Sequence, residues 1–128
     1  ATGTGNTGWA AGPEADTGWR KIGGGDLVNG WAANASNFYL RRIGSQVSLL
    51  IYADGTSASA STFYTLPASF RPNIVHVGAG VAGSKQALLE VQSGGTCLLY
   101  FYDTSTFYTA STWFTDNAWP SSLPGSAA

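Results

Sequence analysis

The sequence predicts a single all-β domain, a sandwich or a barrel. Seven to nine short segments of alternating character recur at a spacing of about 8–12 residues, which is typical of these folds. Gly, Ala, Ser and Thr fill close to half of the chain, whereas the residues that favour surface helices are scarce: two Glu, two Lys and no Met. The best helical candidate, residues 84–90, is too short and has Gly nearby. A length of 128 residues suits one domain, and 44% hydrophobic residues suffice for a core.

The folded domain is predicted over residues 16–128. Residues 1–15 are rich in Gly and lack periodicity, so we expect an extended connector from a longer parent polypeptide. A first strand is predicted over residues 17–22, and Gly23-Gly24-Gly25-Asp26 is typical of a turn.

Two β-hairpins are the clearest local features. Alternation over residues 38–43 and 47–52 is interrupted by Gly44-Ser45, and a two-residue turn that begins with Gly is typical of a hairpin. The second hairpin is predicted from residues 87–92 and 97–102, joined by a turn with two glycines.

The remaining elements follow from prolines and turn residues. Pro67 and Pro72 flank a short bend, because the residue before a proline avoids the helical region. Strands are predicted over residues 74–77 and 107–114, and the two prolines within residues 119–125 predict an irregular tail.

Composition excludes several classes of function. Six basic against seven acidic residues leave no basic stripe for nucleic acid. No apolar run approaches the roughly 18 residues of a membrane span. Cys97 is the only cysteine, so neither an intrachain disulfide nor a thiolate metal cluster is expected.

One segment is apolar on both of its faces. Residues 97–102 read Cys-Leu-Leu-Tyr-Phe-Tyr, whereas a strand exposed on one side would alternate. We therefore expect a second layer over this strand, and both a central core strand and a subunit interface satisfy the pattern.

Four short motifs follow one another along the chain. They are Asp16-Thr17-Gly18-Trp19-Arg20, Leu40-Arg41-Arg42-Ile43-Gly44 with Val47, Thr65-Leu66-Pro67-Ala68-Ser69-Phe70-Arg71-Pro72, and Trp119-Pro120-Ser121-Ser122-Leu123-Pro124-Gly125. In this order they resemble the C-terminal domain of minor tail proteins of long-tailed bacteriophages, especially those of actinobacterial hosts. The resemblance covers roughly residues 16–127, and Ser69 stands where that family leads us to expect Gly.

The resemblance implies a receptor-binding or adhesin module at the tail tip of a virion. It further implies an antiparallel, jelly-roll-like β-sandwich that forms a homotrimer below upstream tail-fibre domains and acts outside the host cell, at its surface. The shared motifs mark hairpins and chain ends, so they imply structure and carry no binding residue over to this chain.

Catalysis is not expected. His76, the only histidine, alternates with Val75 and Val77 as a strand residue facing solvent or an interface, and no nucleophile motif accompanies it. Of the carboxylates that could pair in a glycosidase, Asp54 and Asp103 follow strands as turn residues do. No cofactor or metal is predicted.

Glycan binding is the predicted function, because aromatic rings stack on sugar C–H faces while Asp and Asn hydrogen-bond to hydroxyls. The alternative is that these aromatics fill a core or a trimer interface. Trp31, Tyr39 and Tyr52 are weaker candidates. Arg41 and Arg42 are expected to face opposite sides of their strand in a structural role, and the one that points inward or to an interface needs a paired carboxylate. The predicted core aromatics are Trp19, Phe38, Phe70 and Phe101. The predicted ligand-binding residues are Tyr64, Asp103, Tyr108, Trp113, Asp116 and Asn117.

Three functions are compatible with these features. The first is a non-catalytic receptor-binding domain that attaches a phage to a host cell-wall glycan. The second is a structural cap that only trimerises a tail fibre. The third is a bacterial carbohydrate-binding module or an enzyme fragment, which would be monomeric.

Overall fold

A computed structural model describes residues 15–55, 60–82, 85–100 and 106–128. The expected connector up to residue 14, the expected core residue Phe101 and the expected ligand residue Asp103 lie outside the described residues. Within them the fold is all-β, as predicted, with single 3-10 turns at Gly24–Asp26 and Ala68–Phe70. In this part of the chain, no helix has the length and apolar character needed to cross a membrane.

Nine strands make up the described part of the fold. They are β1 (Arg20–Lys21), β2 (Ala32–Ile43), β3 (Gln46–Asp54), β4 (Thr62–Thr65), β5 (His76–Ala82), β6 (Lys85–Val91), β7 (Thr96–Tyr100), β8 (Thr106–Phe114) and β9 (Ser126–Ala127). All neighbours pair antiparallel, in the order β4-β7-β6-β5-β8-β3-β2-β1-β9.

The sheet curls so that strands far apart in this order meet. The ring of Phe38 on β2 lies 4.7 Å from that of Tyr64 on β4, nearly perpendicular to it at 81°. Ahead of β2, the backbone N–H of Val28 donates to the carbonyl of Phe63 at 3.0 Å. The curled sheet encloses one hydrophobic core, which its strands line with alternate residues.

Both predicted hairpins are confirmed. Gly44 has a φ of +56° between β2 and β3, and Ile43 pairs with Gln46 across that turn. Between β6 and β7, Gly95 has a φ of +96°. Both glycines therefore occupy the left-handed backbone region that residues with a Cβ avoid. The strand predicted at residues 107–114 is also confirmed as β8.

The core contains two of the predicted aromatics. Phe38 and Phe70 are fully buried, but the core prediction for Trp19 is wrong, because 37% of this residue is exposed. Trp19 and the buried Ile22 are three residues apart on an extended segment, so they face opposite sides of the sheet.

Arg41 and Arg42 face opposite sides of β2, as predicted, but the expected carboxylate partner for the buried one is wrong. The exposed Arg41 instead forms the ion pair, to Asp16 at 2.6 and 3.0 Å. Arg42 is 6% exposed, and burial lowers the pKa of its guanidinium. It donates to carbonyls at 2.7–3.1 Å, those of Gly44, Ser69, Asn117 and Ala118.

Candidate functional site

Two of the predicted ligand-binding aromatics lie in the core. Trp113 is 4% exposed, and its indole N–H donates to the carbonyl of Phe70 at 2.8 Å. Tyr64 is 6% exposed, and its burial raises the pKa of its phenol. In this conformation neither ring offers a face to a ligand, which agrees with the alternative that these aromatics fill a core.

Two of the three predicted polar ligand residues, Asp116 and Asn117, follow β8. The backbone N–H of Asp116 donates to the side-chain carbonyl of Asn73 at 2.6 Å. The Asn117 side-chain amide donates to the carbonyl of Ala68 at 2.5 Å, so this side chain ties the tail to the 3-10 turn. Both residues are exposed, and neither lies beside Tyr108, which stands farther back along the same strand.

Tyr108 is the predicted residue that the fold leaves on an open surface. It is 45% exposed on the outer face of β8, directly opposite Tyr52 on β3. The two ring centroids are 4.0 Å apart at an interplanar angle of 43°. A hydrogen bond between the two phenols raises the pKa of Tyr108.

A shallow hollow surrounds this pair of tyrosines. It encloses about 520 Å³, and its walls include Asn37, Leu50 and Val81 besides the two rings. Its volume falls within the range of small-molecule sites, and its composition, mostly apolar with one amide, matches that of such sites.

A second hollow lies on the other side of Leu50. It encloses about 430 Å³ between Leu50, Trp19, Tyr39 and Ala128. The guanidinium of Arg41 lies 5.8 Å from the centroid of the Trp19 ring, a distance at which a cation is attracted to an aromatic face. Its bond to Asp16 holds the pKa of that carboxyl below its ordinary value.

The two hollows make one continuous surface, because cross-strand pairs join them. Tyr39 lies opposite Leu50, which is two residues from Tyr52, and side chains two residues apart on a strand share a face. We call this surface the aromatic face; it consists of Trp19, Tyr39, Leu50, Tyr52 and Tyr108. Strands β2, β3 and β8 carry three of its four rings and Trp19 directly precedes β1, so the backbone of the sheet fixes their positions.

Sequence reasoning gave too little weight to Tyr39, Tyr52 and Trp19. A signal for two of them was present, because the hairpin turn at Gly44 fixes the register of β2 and β3. That register puts Tyr39 and Tyr52 on the face opposite the buried Phe38 and Leu40. No local signal marks Trp19, because β1 has only two residues.

A second exposed surface adjoins the aromatic face. We call it the aliphatic face; it consists of Val77, Ala79, Val81 and Leu88 on β5 and β6. The neighbouring β7 buries Cys97 and Leu99 but leaves Tyr100 exposed, so within this chain the apolar segment is covered on one face only as far as residue 100.

The groups that could do chemistry lie apart from the aromatic face. His76 sits 5.3 Å from the Trp113 ring, burial lowers its pKa, and its Nε2 is buried without a partner among the described residues. Burial raises the pKa of the Cys97 thiol to about 12. In the described ranges, no three His, Cys, Asp or Glu side chains gather as a metal site would need.

Comparison of the sequence with models of known protein families finds no match, and comparison with curated proteins finds none either.

Proposed function

We propose that this chain is a non-catalytic receptor-binding domain of a phage tail protein, and that its aromatic face binds a glycan on the host cell surface. The observation that carries the proposal is the gathering of four aromatic rings on one sheet surface, with Trp19 and Tyr108 exposed and Tyr39 and Tyr52 half-buried. Exposed aromatic clusters of this kind mark binding surfaces, and the four ordered motifs supply the phage context.

The proposal places the domain at the tail tip of a virion, as a jelly-roll-like sandwich that forms a homotrimer below upstream fibre domains. The aliphatic face supplies a surface for contact between copies. A shallow site of this kind yields a small net free energy of binding per copy. Three copies in one fibre, and several fibres in one virion, would raise the avidity for a repetitive cell wall.

The test is binding of the fluorescently labelled chain to intact cells of a panel of actinobacteria, with and without competing cell-wall polysaccharide. We expect strain-selective binding that one polysaccharide abolishes. Tyr52→Ala with Tyr108→Ala should remove binding. Phe114→Ala should keep it, because Phe114 is an exposed aromatic on the same side of β8 that lies six residues from Tyr108 and lines neither hollow. A folded chain that binds no strain would contradict the proposal.

A structural cap is the second candidate, and the aliphatic face favours it. A cap would form a robust trimer and lose no cell binding when Tyr108 becomes Ala. A bacterial carbohydrate-binding module, in contrast, would bind polysaccharide as a monomer. Sedimentation analysis together with the cell-binding assay separates these functions.

A further inference from the structure

We propose that the aromatic face binds a linear, uncharged stretch of glycan several sugars long, in two subsites on either side of Leu50. This inference rests on the proposed function and specifies its ligand. One subsite is the hollow of Trp19 and Tyr39, and the other is the hollow of Tyr52 and Tyr108.

The spacing of the rings supports two subsites. Tyr39 lies opposite Leu50, Leu50 lies opposite Ala110, and Tyr108 is two residues along β8 from Ala110. Two strand spacings of about 4.8 Å and two residues of about 3.3 Å put the backbones of Tyr39 and Tyr108 roughly 12 Å apart. Rings carried on backbones this far apart belong to separate hollows, and successive sugars of one chain can occupy both hollows at once.

The surface is also open at the end near Ser48, which lets a glycan chain continue beyond the rings. Next to Leu50 on β3, Ser48 continues the outer face, and its hydroxyl lies 3.3 Å from that of Thr112 on β8. This exposed pair of hydroxyls borders the rings with hydrogen-bonding groups and does not wall them off. A site for a terminal sugar would need a closed pocket.

The charges around the two hollows favour an uncharged ligand. No Asp, Glu, Lys or Arg is among the described residues that line either hollow. Arg41 beside Trp19 is committed to Asp16 through both Nε and Nη2. Lys21 lies opposite Tyr39 at the β1 border, a single cation at one end of the surface. Within the described residues, an acidic polysaccharide would therefore meet one counter-charge along this surface.

The test is a titration of the chain with linear oligosaccharides from single sugars to hexasaccharides, neutral (glucan, mannan, galactan and arabinan) and acidic (galacturonan). Affinity for one neutral series should rise at least about tenfold from the disaccharide to the tetrasaccharide, because the second subsite is then filled intramolecularly. Tyr39→Ala and Tyr108→Ala should each abolish this rise and leave the affinity for short members little changed. Phe114→Ala is the matched control and should keep it.

Several results would overturn this inference. Equal affinity for a single sugar and a hexasaccharide would overturn it. So would a rise of affinity with length that is lost in only one of the two tyrosine variants, or a preference for galacturonan. Each of these results would leave the proposed glycan receptor standing. If Tyr39→Ala and Tyr108→Ala instead dissociate an oligomer, the aromatic face is a contact between copies. Absence of binding both to every sugar and to every cell would remove the proposed function itself. Tyr108→Phe, which keeps the ring, should retain the dependence on length, and it serves if Tyr108→Ala fails to fold.

Discussion

A single side chain, Arg42, holds three separate segments together. Its guanidinium donates to the carbonyl of Gly44 in the hairpin turn, of Ser69 in the 3-10 turn, and of Asn117 and Ala118 in the tail. Within the described residues, no carboxylate neutralises the charge of Arg42. The carbonyl oxygens that accept its hydrogen bonds therefore take the place of water around the guanidinium. The planar fork of arginine suits several acceptors at once, which the single ammonium of lysine does not.

Arg42→Met should therefore destabilise the fold strongly. The variant leaves several carbonyls without their donor, which we expect to cost about 2–4 kcal/mol of unfolding free energy. Chemical denaturation followed by tryptophan fluorescence measures this. Arg41→Met is the control: it breaks an exposed ion pair, which contributes about 0–1 kcal/mol. Equal losses in the two variants would contradict the role assigned to Arg42.

The Asp16–Arg41 pair gives a small dependence of stability on pH. Because the pKa of Asp16 is lowered in the folded chain, its contribution is complete above the ordinary pKa of an aspartate, about 3.9, and is lost as the pH falls through the lower folded value. Asp16→Asn should therefore be less stable than the parent at neutral pH, and the difference should vanish in acid. Urea denaturation across this range checks the sign. A difference that grows in acid would contradict it.

At the scale of elements, the features that could be predicted from the sequence are those formed by residues close together along the chain. The hairpin turns follow from Gly and alternation, but the pairing of β4 with β7 and of β5 with β8 joins strands distant along the chain. The candidate site has the same limit. Tyr108 and Trp113 are five residues apart on β8, so they must face opposite sides. Which of them faces the core depends on the partner strands and the curl, and no local pattern encodes these.

The turn between β6 and β7 contains two adjacent glycines, Gly94 and Gly95, and we expect their replacement by Ala to have different effects on stability. A Cβ on Gly95 would lie 2.9 Å from the carbonyl oxygen of Leu66 and 2.6 Å from Nε of Arg71, at a φ of +96°. A Cβ on Gly94 would meet nothing within 4 Å. Gly95→Ala should thus lower stability by about 1–3 kcal/mol through backbone strain and crowding.

Gly94→Ala is the matched control in the same turn. It restricts the unfolded chain without a clash, so its effect should be neutral or a gain of up to about 1 kcal/mol. Thermal and urea unfolding of both variants test the pair. Similar losses at both positions would mean that the turn does not depend on the left-handed residue.

At the scale of the whole molecule, the outer surface of the sheet has two apolar parts with different chemistry. The aromatic face combines rings with an amide and neighbouring hydroxyls, a mixture suited to a polar ligand. The aliphatic face is apolar in itself, and Gln86 and Glu90 lie beside it as the cross-strand partners of Val81 and Val77, so it suits another apolar surface with a polar rim. Val81 belongs to both parts, because it pairs with Tyr108 and also lines the hollow of Tyr52 and Tyr108, so a contact between copies over the aliphatic face would border this hollow.

Self-association should accordingly depend on the aliphatic face. The net charge of −1 gives little repulsion between copies, so an apolar surface of this kind can associate at neutral pH. Leu88→Lys puts a charge at the centre of the proposed contact and should dissociate the proposed trimer, as measured by sedimentation velocity. Gln46→Lys adds the same charge at an exposed position on β3, away from this face, and should leave the proposed trimer intact. Affinity for a free oligosaccharide should be the same in both variants, whereas cell binding should fall in Leu88→Lys because avidity is lost.

A trimer that survives Leu88→Lys would move the contact to another surface, and a monomeric parent chain that still binds cells would favour the carbohydrate-binding module.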